Sequence, residues 1–486
     1  MSYFQAPVRA MTRLIQLLVF CGLFAVPLYA QPGTIDPTFN PTGDGANDAV
    51  FSTSLQPDEK VLIAGSFTAY NGTATNHVAR LNSDGQLDPS FNTGSGTNGE
   101  VWSTLVQPDG KILIAGDFTS YDGINRHRIA RLNTDGSLDS SFDPGNGANN
   151  DVWTMALQPD GKVLVGGDFT VFNGLIQNRI TRLNPDGSLD ASFDTGSGSD
   201  GTVLSFALDS SGRILIGGNF SNVNGMAWNN IGRLGSTGNL DLSFDPGSGP
   251  SSTVFTIRML PDEKIMIGGV FGSYNGTTRK HIARLEADGA LDSSFDPGAG
   301  PNATVISMAV QMDGNLLIGG VFTNYAGIAR GRVARVNPDG SLDSSFDPGT
   351  GAASSVRTIA LRLDGKVIVA GLFTSFDGTG CGRIARVHGD LTGGIQQVMA
   401  VNGIMTLAPN PAHRNVTVYL FLATDTNVTL TLMDTAGRIV KDIALGHRST
   451  GDHAYHLSID ELDAGNYVMA LRTTEGRLAT RKLLLQ

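Results

Sequence analysis

Cysteine is almost missing from this chain. Of the two present, Cys21 falls in a stretch that reads as a removable leader, which leaves Cys381 alone. An intramolecular disulfide framework is thereby excluded, and stability must come from packing. Charge is sparse as well: charged residues make up 16% of the chain, the net charge is -11, and no Lys/Arg cluster interrupts it. A nucleic-acid partner needs a concentrated basic face, so that class is set aside. Zinc spacing is absent, because His77, His127, His281 and His388 are scattered over different segments. Around Cys381 the residues Gly378 to Gly382 (GTGCG) form no nucleophile elbow with a paired base, and no phosphate-binding loop opens a helix. No catalytic residue and no metal ligand are assigned.

What the chain does have is glycine, 62 in 486 residues, with many Asn-Gly and Asp-Gly pairs between short apolar runs. Hairpin turns need positive φ, which Gly and Asn reach at little cost, so the composition predicts an all-β protein. At the start, Arg9 and Arg13 precede the apolar stretch Leu14 to Val26, and Leu28-Tyr29-Ala30 ends on a small residue. Residues 1–30 read as a secretory signal peptide with cleavage after Ala30. Beyond the leader no segment is long and apolar enough to span a membrane as a helix, so export without a membrane span is expected.

The central region repeats. Phe91, Phe142, Phe193, Phe244, Phe295 and Phe346 follow one another at a constant step of 51 residues, with Phe39 one residue out of step before them. Arg80, Arg131, Arg182, Arg233, Arg284, Arg335 and Arg386 keep the same step, as do valines from Val50 to Val356. One copy, Val101 to Phe142, reads as four strands, VWSTLVQ, KILIAGDF, HRIARL and SLDSSF, joined by Asp-Gly turns. A sheet apolar on both faces, as KILIAG is, must be covered on both sides, so copies stack. The chain begins this region with a lone fourth strand, Thr34 to Phe39, while the last copy lacks its own. The split predicts a ring of seven blades closed by the N-terminal strand, a seven-bladed β-propeller over residues 31–394. Columns such as LQPDGKVLVGGDF and RITRLNPDGSLDASFD resemble the delta-60 repeat family. That resemblance implies a propeller of a bacterial surface or secreted protein and transfers no ligand or catalytic residue.

After Gly394 the period stops. Val416 and Val418 alternate, as do Val428, Leu430 and Leu432, and DTAGR turns at Asp434 to Arg438, predicting a small β-sandwich over residues 395–486. Pro409-Asn410-Pro411, Asp434 with Gly437-Arg438, Leu462 with Gly465 and Tyr467, and an ending with Lys482 and Gln486 resemble the C-terminal sorting domain of type IX secretion cargo. The resemblance implies that residues 395–486 are read by the type IX secretion machinery. The protein is then delivered to the outer surface of the bacterial outer membrane or to the medium.

Candidate residues are those that break the repeat. Each arginine of the repeat is followed eight residues later by an aspartate, as with Arg131 and Asp139 or Arg284 and Asp292, which predicts a structural ion pair or bonds to loop carbonyls. The hydroxyl column Ser52, Ser103, Thr154, Ser205, Thr256, Ser307 and Thr358 is expected to bond the neighbouring blade, with a polar ligand as the alternative. The variable column reads Phe51, Trp102, Trp153, Leu204, Phe255, Ile306 and Arg357. Bulky residues there serve as core, or Trp102 and Trp153 stack on sugar rings; Arg357, which breaks the apolar column, is the candidate for a polar function, and a glycan or protein is the ligand such residues would take. Loops such as Asp143 to Asp151 carry oxygens of the kind calcium prefers, but their spacing matches no tight calcium loop, so no cofactor is assigned. These residues point to an exported, non-catalytic binding or scaffold protein. The alternative is an extracellular lyase or glycosidase with its site at the channel mouth, which requires a Glu/Asp pair or a Tyr/His/Arg group unique to one or two blades, and none is read in the sequence.

Overall fold

The reason each repeat folds can be followed in the second copy. Val101–Val106 and Ile112–Gly116 pair antiparallel across a tight turn at Gln107 to Gly110, where Asp109 accepts from the Lys111 amide at 3.1 Å. Ile129–Leu132 adds to the other side of the second strand, giving the order first, second, third. Ile112–Gly116 is buried at every position, as a strand covered on both faces must be. The computed structural model describes residues 30–311, 313–362, 364–389, 405–408, 412, 414–422, 426–434, 438–448, 451–473 and 478–485. The leader, the 394/395 boundary, Pro409-Asn410-Pro411, Gly437, Gln486 and the side chain of Lys482 lie outside the described residues.

Two details differ from the four-strand reading. The fourth strand shrinks to one bridge, Leu132 to Leu138, repeated as Leu81 to Leu87 and Leu183 to Leu189. Asp139 is the cause: its carboxylate accepts from the Ser141 amide at 3.0 Å, and its carbonyl from Phe142 at 3.3 Å, so the chain turns instead of extending. The loop between the second and third strands is itself a small hairpin, Ser120–Tyr121 with Ile124–Asn125.

The same sheet order recurs seven times, with first strands Val50–Leu55, Val101–Val106, Val152–Leu157, Thr202–Leu208, Val254–Met259, Val305–Val310 and Val356–Leu361. Each first strand packs on those of its neighbours, and Val356–Leu361 packs on Val50–Leu55, so the ring is closed and these strands are innermost. Hydrophobic clusters bridge adjacent blades; one joins Ile368 and Ala370 of blade 7 to Val61, Ile63 and Phe67 of blade 1. The N-terminal segment completes blade 7: Ile35 bridges Val387, and the Asp36 amide donates to the Arg386 carbonyl at 2.7 Å. The protein is a seven-bladed β-propeller.

The C-terminal region has its own core of Val416, Val418, Leu420, Val428, Leu430 and Leu432, the alternating positions of the sequence. Met405–Ala408, Asn415–Leu422 and Gly451–Ser458 form one sheet. Ile439–Arg448, Thr426–Asp434, Gly465–Thr473 and Leu478–Leu485 form the other. Asp434 and Arg438 pair at 2.7 Å, and the Tyr467 hydroxyl donates to the Asp463 carbonyl at 2.9 Å. Among the described residues no helix is long and apolar enough to cross a membrane.

A candidate binding face at the channel mouth

The repeated arginine is a clamp. Arg131 Nε donates to Asp139 at 2.6 Å, Nη1 to the Pro185 carbonyl of the next blade at 2.6 Å, and Nη2 to Ser141 at 3.1 Å. Its guanidinium lies 4.9 Å from the Phe142 ring centroid. Leu138, Asp139, Ser141 and Phe142 of LDSSF therefore each have a partner, and the arginines stay with structure. Burial alone would raise the Asp139 carboxyl, but bonds from Ser141, Lys111 and Arg131 outweigh it and hold the group well below the carboxylate range.

The hydroxyl column is also structural where its bonds are seen. Ser205 accepts from the Ile257 amide at 3.1 Å and Ser307 from the Ile359 amide at 3.2 Å, each in the next blade. Ser52 shares a bond with Thr104 at 2.9 Å.

The variable column has a geometry that the sequence did not announce. In every blade the register between first and second strands shifts at this residue, between Val101 and Ser103 for example, so each member is the extra residue of a β-bulge. The glycine opposite makes room: a Cβ on Gly116 would sit 2.0 Å from the Glu100 carbonyl oxygen, and the other six glycines of this column meet the same crowding. Bulges re-aim side chains. Seven bulges at one level of seven innermost strands make a collar of half-buried side chains at one mouth of the ring.

Trp102 and Trp153 stack within this collar, with ring centroids 3.9 Å apart and planes 8° from parallel. Trp102 Nε1 donates to Glu100 at 3.0 Å and Trp153 Nε1 to Asp168 at 2.9 Å, which fixes both indole planes. Thr202 of the next blade hydrogen-bonds the other oxygen of Asp168. Arg357 stands on blade 7, half-buried, with its Nε lacking a hydrogen-bond partner among the described residues. Stripping of water lowers its guanidinium from the ordinary value. The three candidates thus share one collar, but only the tryptophans touch.

The expectation that no carboxylate group is peculiar to one or two blades is corrected here. Glu100, Asp117, Asp151 and Asp168 occupy positions that carry Thr253, Val270, Thr304, Val321, Ser355 and Leu372 in blades 5 to 7. Burial raises the Asp151 carboxyl, and the Asp117 and Asp168 charges raise it further, against Arg128, which lowers it. Asp117 Oδ1 is buried without a partner among the described residues. The four are 17 to 68 residues apart along the chain, so only the bulge and the glycine column gather them.

Elsewhere the chemistry is quiet. The loop at Asp143 turns its oxygens on its own backbone, with the Gly145 amide donating to Asp143 at 3.0 Å. Among the described residues no group of three or more His, Cys, Asp or Glu side chains is arranged to hold a metal. Burial pushes the Cys381 thiol up to about 12, which leaves it a poor nucleophile.

Two family models match the chain. One, described as a domain of unknown function (DUF5122) beta-propeller, covers residues 56–91, 107–142, 158–193, 210–244, 260–295, 311–346 and 363–392. The other, a secretion system C-terminal sorting domain, covers residues 406–486. Among solved structures, the chain is similar to the extracellular domain of BT4673, named as a hybrid two component system of B. thetaiotaomicron. There the identity is 11%, the TM-score 0.45, and the coverage 94% of this chain and 59% of that one. It is also similar to PorZ, described as a surface component of the type-IX secretion system of Porphyromonas gingivalis, at 14% identity, TM-score 0.33, and 90% and 66% coverage. The chain thus spans less than two thirds of the length of either solved chain. No curated protein matches it.

Proposed function

The chain belongs to the DUF5122 beta-propeller family, and from that premise we propose that it is an exported, non-catalytic propeller that binds a glycan at its collar. Its sorting domain belongs with export to the outer surface or the medium, and implies recognition by the secretion machinery. The observation that carries the binding reading is the parallel indole pair of Trp102 and Trp153, half-buried at a channel mouth with both N–H groups tied down. Rigid, partly exposed aromatic faces lose little entropy when a flat apolar surface such as a pyranose ring stacks on them. A glycan array probed with the full chain tests it. Binding to a defined glycan class should weaken by about ten-fold or more in Trp102→Ala and Trp153→Ala, a loss of about 1.4 kcal/mol. An array without signal, or signal that both variants retain, rejects the reading.

One observation favours a second reading. Asp151, its carboxyl raised by burial and by the neighbouring Asp117 and Asp168, has the makings of a general acid beside two further carboxylates, the pairing that glycoside hydrolysis uses. Release of reducing ends from a polysaccharide panel, abolished in Asp151→Asn, would establish the enzyme and displace the non-catalytic reading.

A further inference from the structure

The seven innermost strands carry two charged residues between them, both arginines, in a chain whose net charge is -11. Arg357 is the bulge residue of blade 7; Arg258 lies on Val254–Met259 of blade 5, where other blades have Ser54, Leu105, Ala156, Ala207, Ala309 or Ala360. Arg258 Nε donates to the Met308 carbonyl of the next blade at 3.0 Å, and Nη1 to the Ile257 carbonyl at 2.8 Å. Two innermost strands thus hold the guanidinium in place. The remaining N–H donors of its five have no protein partner among the described residues.

Neither arginine enters an ion pair among the described residues, in contrast to the clamp arginines, each of which meets an aspartate. Carbonyl dipoles orient a guanidinium without neutralising it, and a desolvated cation without a counter-charge is costly. Loss of surrounding water lowers both groups from the ordinary guanidinium value, yet arginine remains charged at neutral pH. The rim carboxylates sit on blades 2 and 3, so the wall of blades 5 to 7 is the side that an anion can approach.

We propose that this wall is an oxyanion site: the channel takes a carboxylate, sulfate or phosphate group onto the free edge of Arg258, with Arg357 attracting it at the mouth. The guanidinium fork matches all three groups. The site does not depend on the indole pair, so the two proposals fail separately.

Calorimetric titration of the full chain with sodium glucuronate, sulfate and inorganic phosphate, against chloride at equal ionic strength, is the test. Saturable binding of at least one is expected, weakened about ten-fold or more in Arg258→Met and weakened less in Arg357→Met. The tightest of the three identifies the source as an acidic sugar, a sulfated chain or a phosphorylated ligand. Absence of saturable binding, or binding that both arginine variants keep, overturns the site even if the glycan array is positive. Should Arg258→Met fail to fold, Arg258→Lys retains the charge without the two-carbonyl clamp and must bind more weakly than wild type; equal binding there also overturns the site.

Discussion

At the scale of single residues, the repeat separates side chains that build from side chains that are free to differ. Gly116 builds: the bulge that turns Trp102 outward exists because no Cβ stands between the second strand and the Glu100 carbonyl. Gly116→Ala is expected to cost at least about 1–3 kcal/mol, the range for forcing atoms into a packed site, and to quench or shift the Trp102 fluorescence. Urea unfolding followed by emission measures both. Tyr121 is a milder case. Its hydroxyl donates to the Gly136 carbonyl at 2.5 Å, but Phe172 and Phe376 fill the same position in blades 3 and 7 without that bond. Tyr121→Phe should therefore cost only about 1 kcal/mol, the net worth of one hydrogen bond, read from the same urea curves. Arg357 was visible as a break in an apolar column. Arg258 was not, because its position in the other blades carries Ser54, Leu105 or alanine, no single pattern that an arginine visibly violates.

At the scale of elements, the arginine clamp explains why the fourth strand was overread. Alternation in SLDSSF suggests an extended segment, but periodicity does not weigh an aspartate that can bond its own chain two residues on. The turn and the ion pair are one device, and it should set the acid limit of the protein. Asp36, Asp88, Asp139, Asp190 and Asp292 are each held below the carboxylate range, because bonds from Ser or Thr, Lys and Arg outweigh the burial that would raise them. A carboxyl depressed on folding stabilises above its unfolded value of about 3.9, and that stability drains away as pH falls further toward the folded value. Tm should be nearly flat from pH 8 to 5 and fall steadily below about pH 4. Asp139→Asn should cost about 3–5 kcal/mol at neutral pH by leaving Arg131 without its main partner, and the gap to wild type should narrow in acid. A gap that stays constant down to pH 2 would show that the clamp is not the titrating element. The collar was half legible for a related reason: Trp102 and Trp153 share a column, whereas Glu100, Asp117, Asp151 and Asp168 come from two columns that meet only across the bulge.

At the scale of the whole molecule, closure of the ring decides the fold, and the ends of the repeat array foretold it: a fourth strand is surplus at one end of the repeats and missing at the other. Asp36 takes the place that Asp139 has in blade 2, with Arg386 Nε and Lys366 each donating to it at 2.7 Å, and Phe39 lies under the Arg386 guanidinium at 5.0 Å. Thr53 and Thr358 share a hydroxyl bond at 2.8 Å across the same seam, and Arg362 pairs with Glu59 at 2.9 Å. If the segment acts only by occupying its place in blade 7, then its covalent attachment is immaterial. Moving residues 31–39 to follow His388, through a turn of the Asn133–Ser137 type, should give a permutant with wild-type cooperativity and Tm within a few degrees. Deleting the same residues should uncover the seam between blades 7 and 1, where Ile368, Ala370 and Ile384 meet Val61 and Ile63. The truncated chain should bind a hydrophobic dye and lose its sharp thermal transition, since a ring of stacked sheets is stable only when every face is covered. A truncated chain that melts like wild type would mean that the ring holds without its latch, and the collar would then owe its geometry to the blades alone.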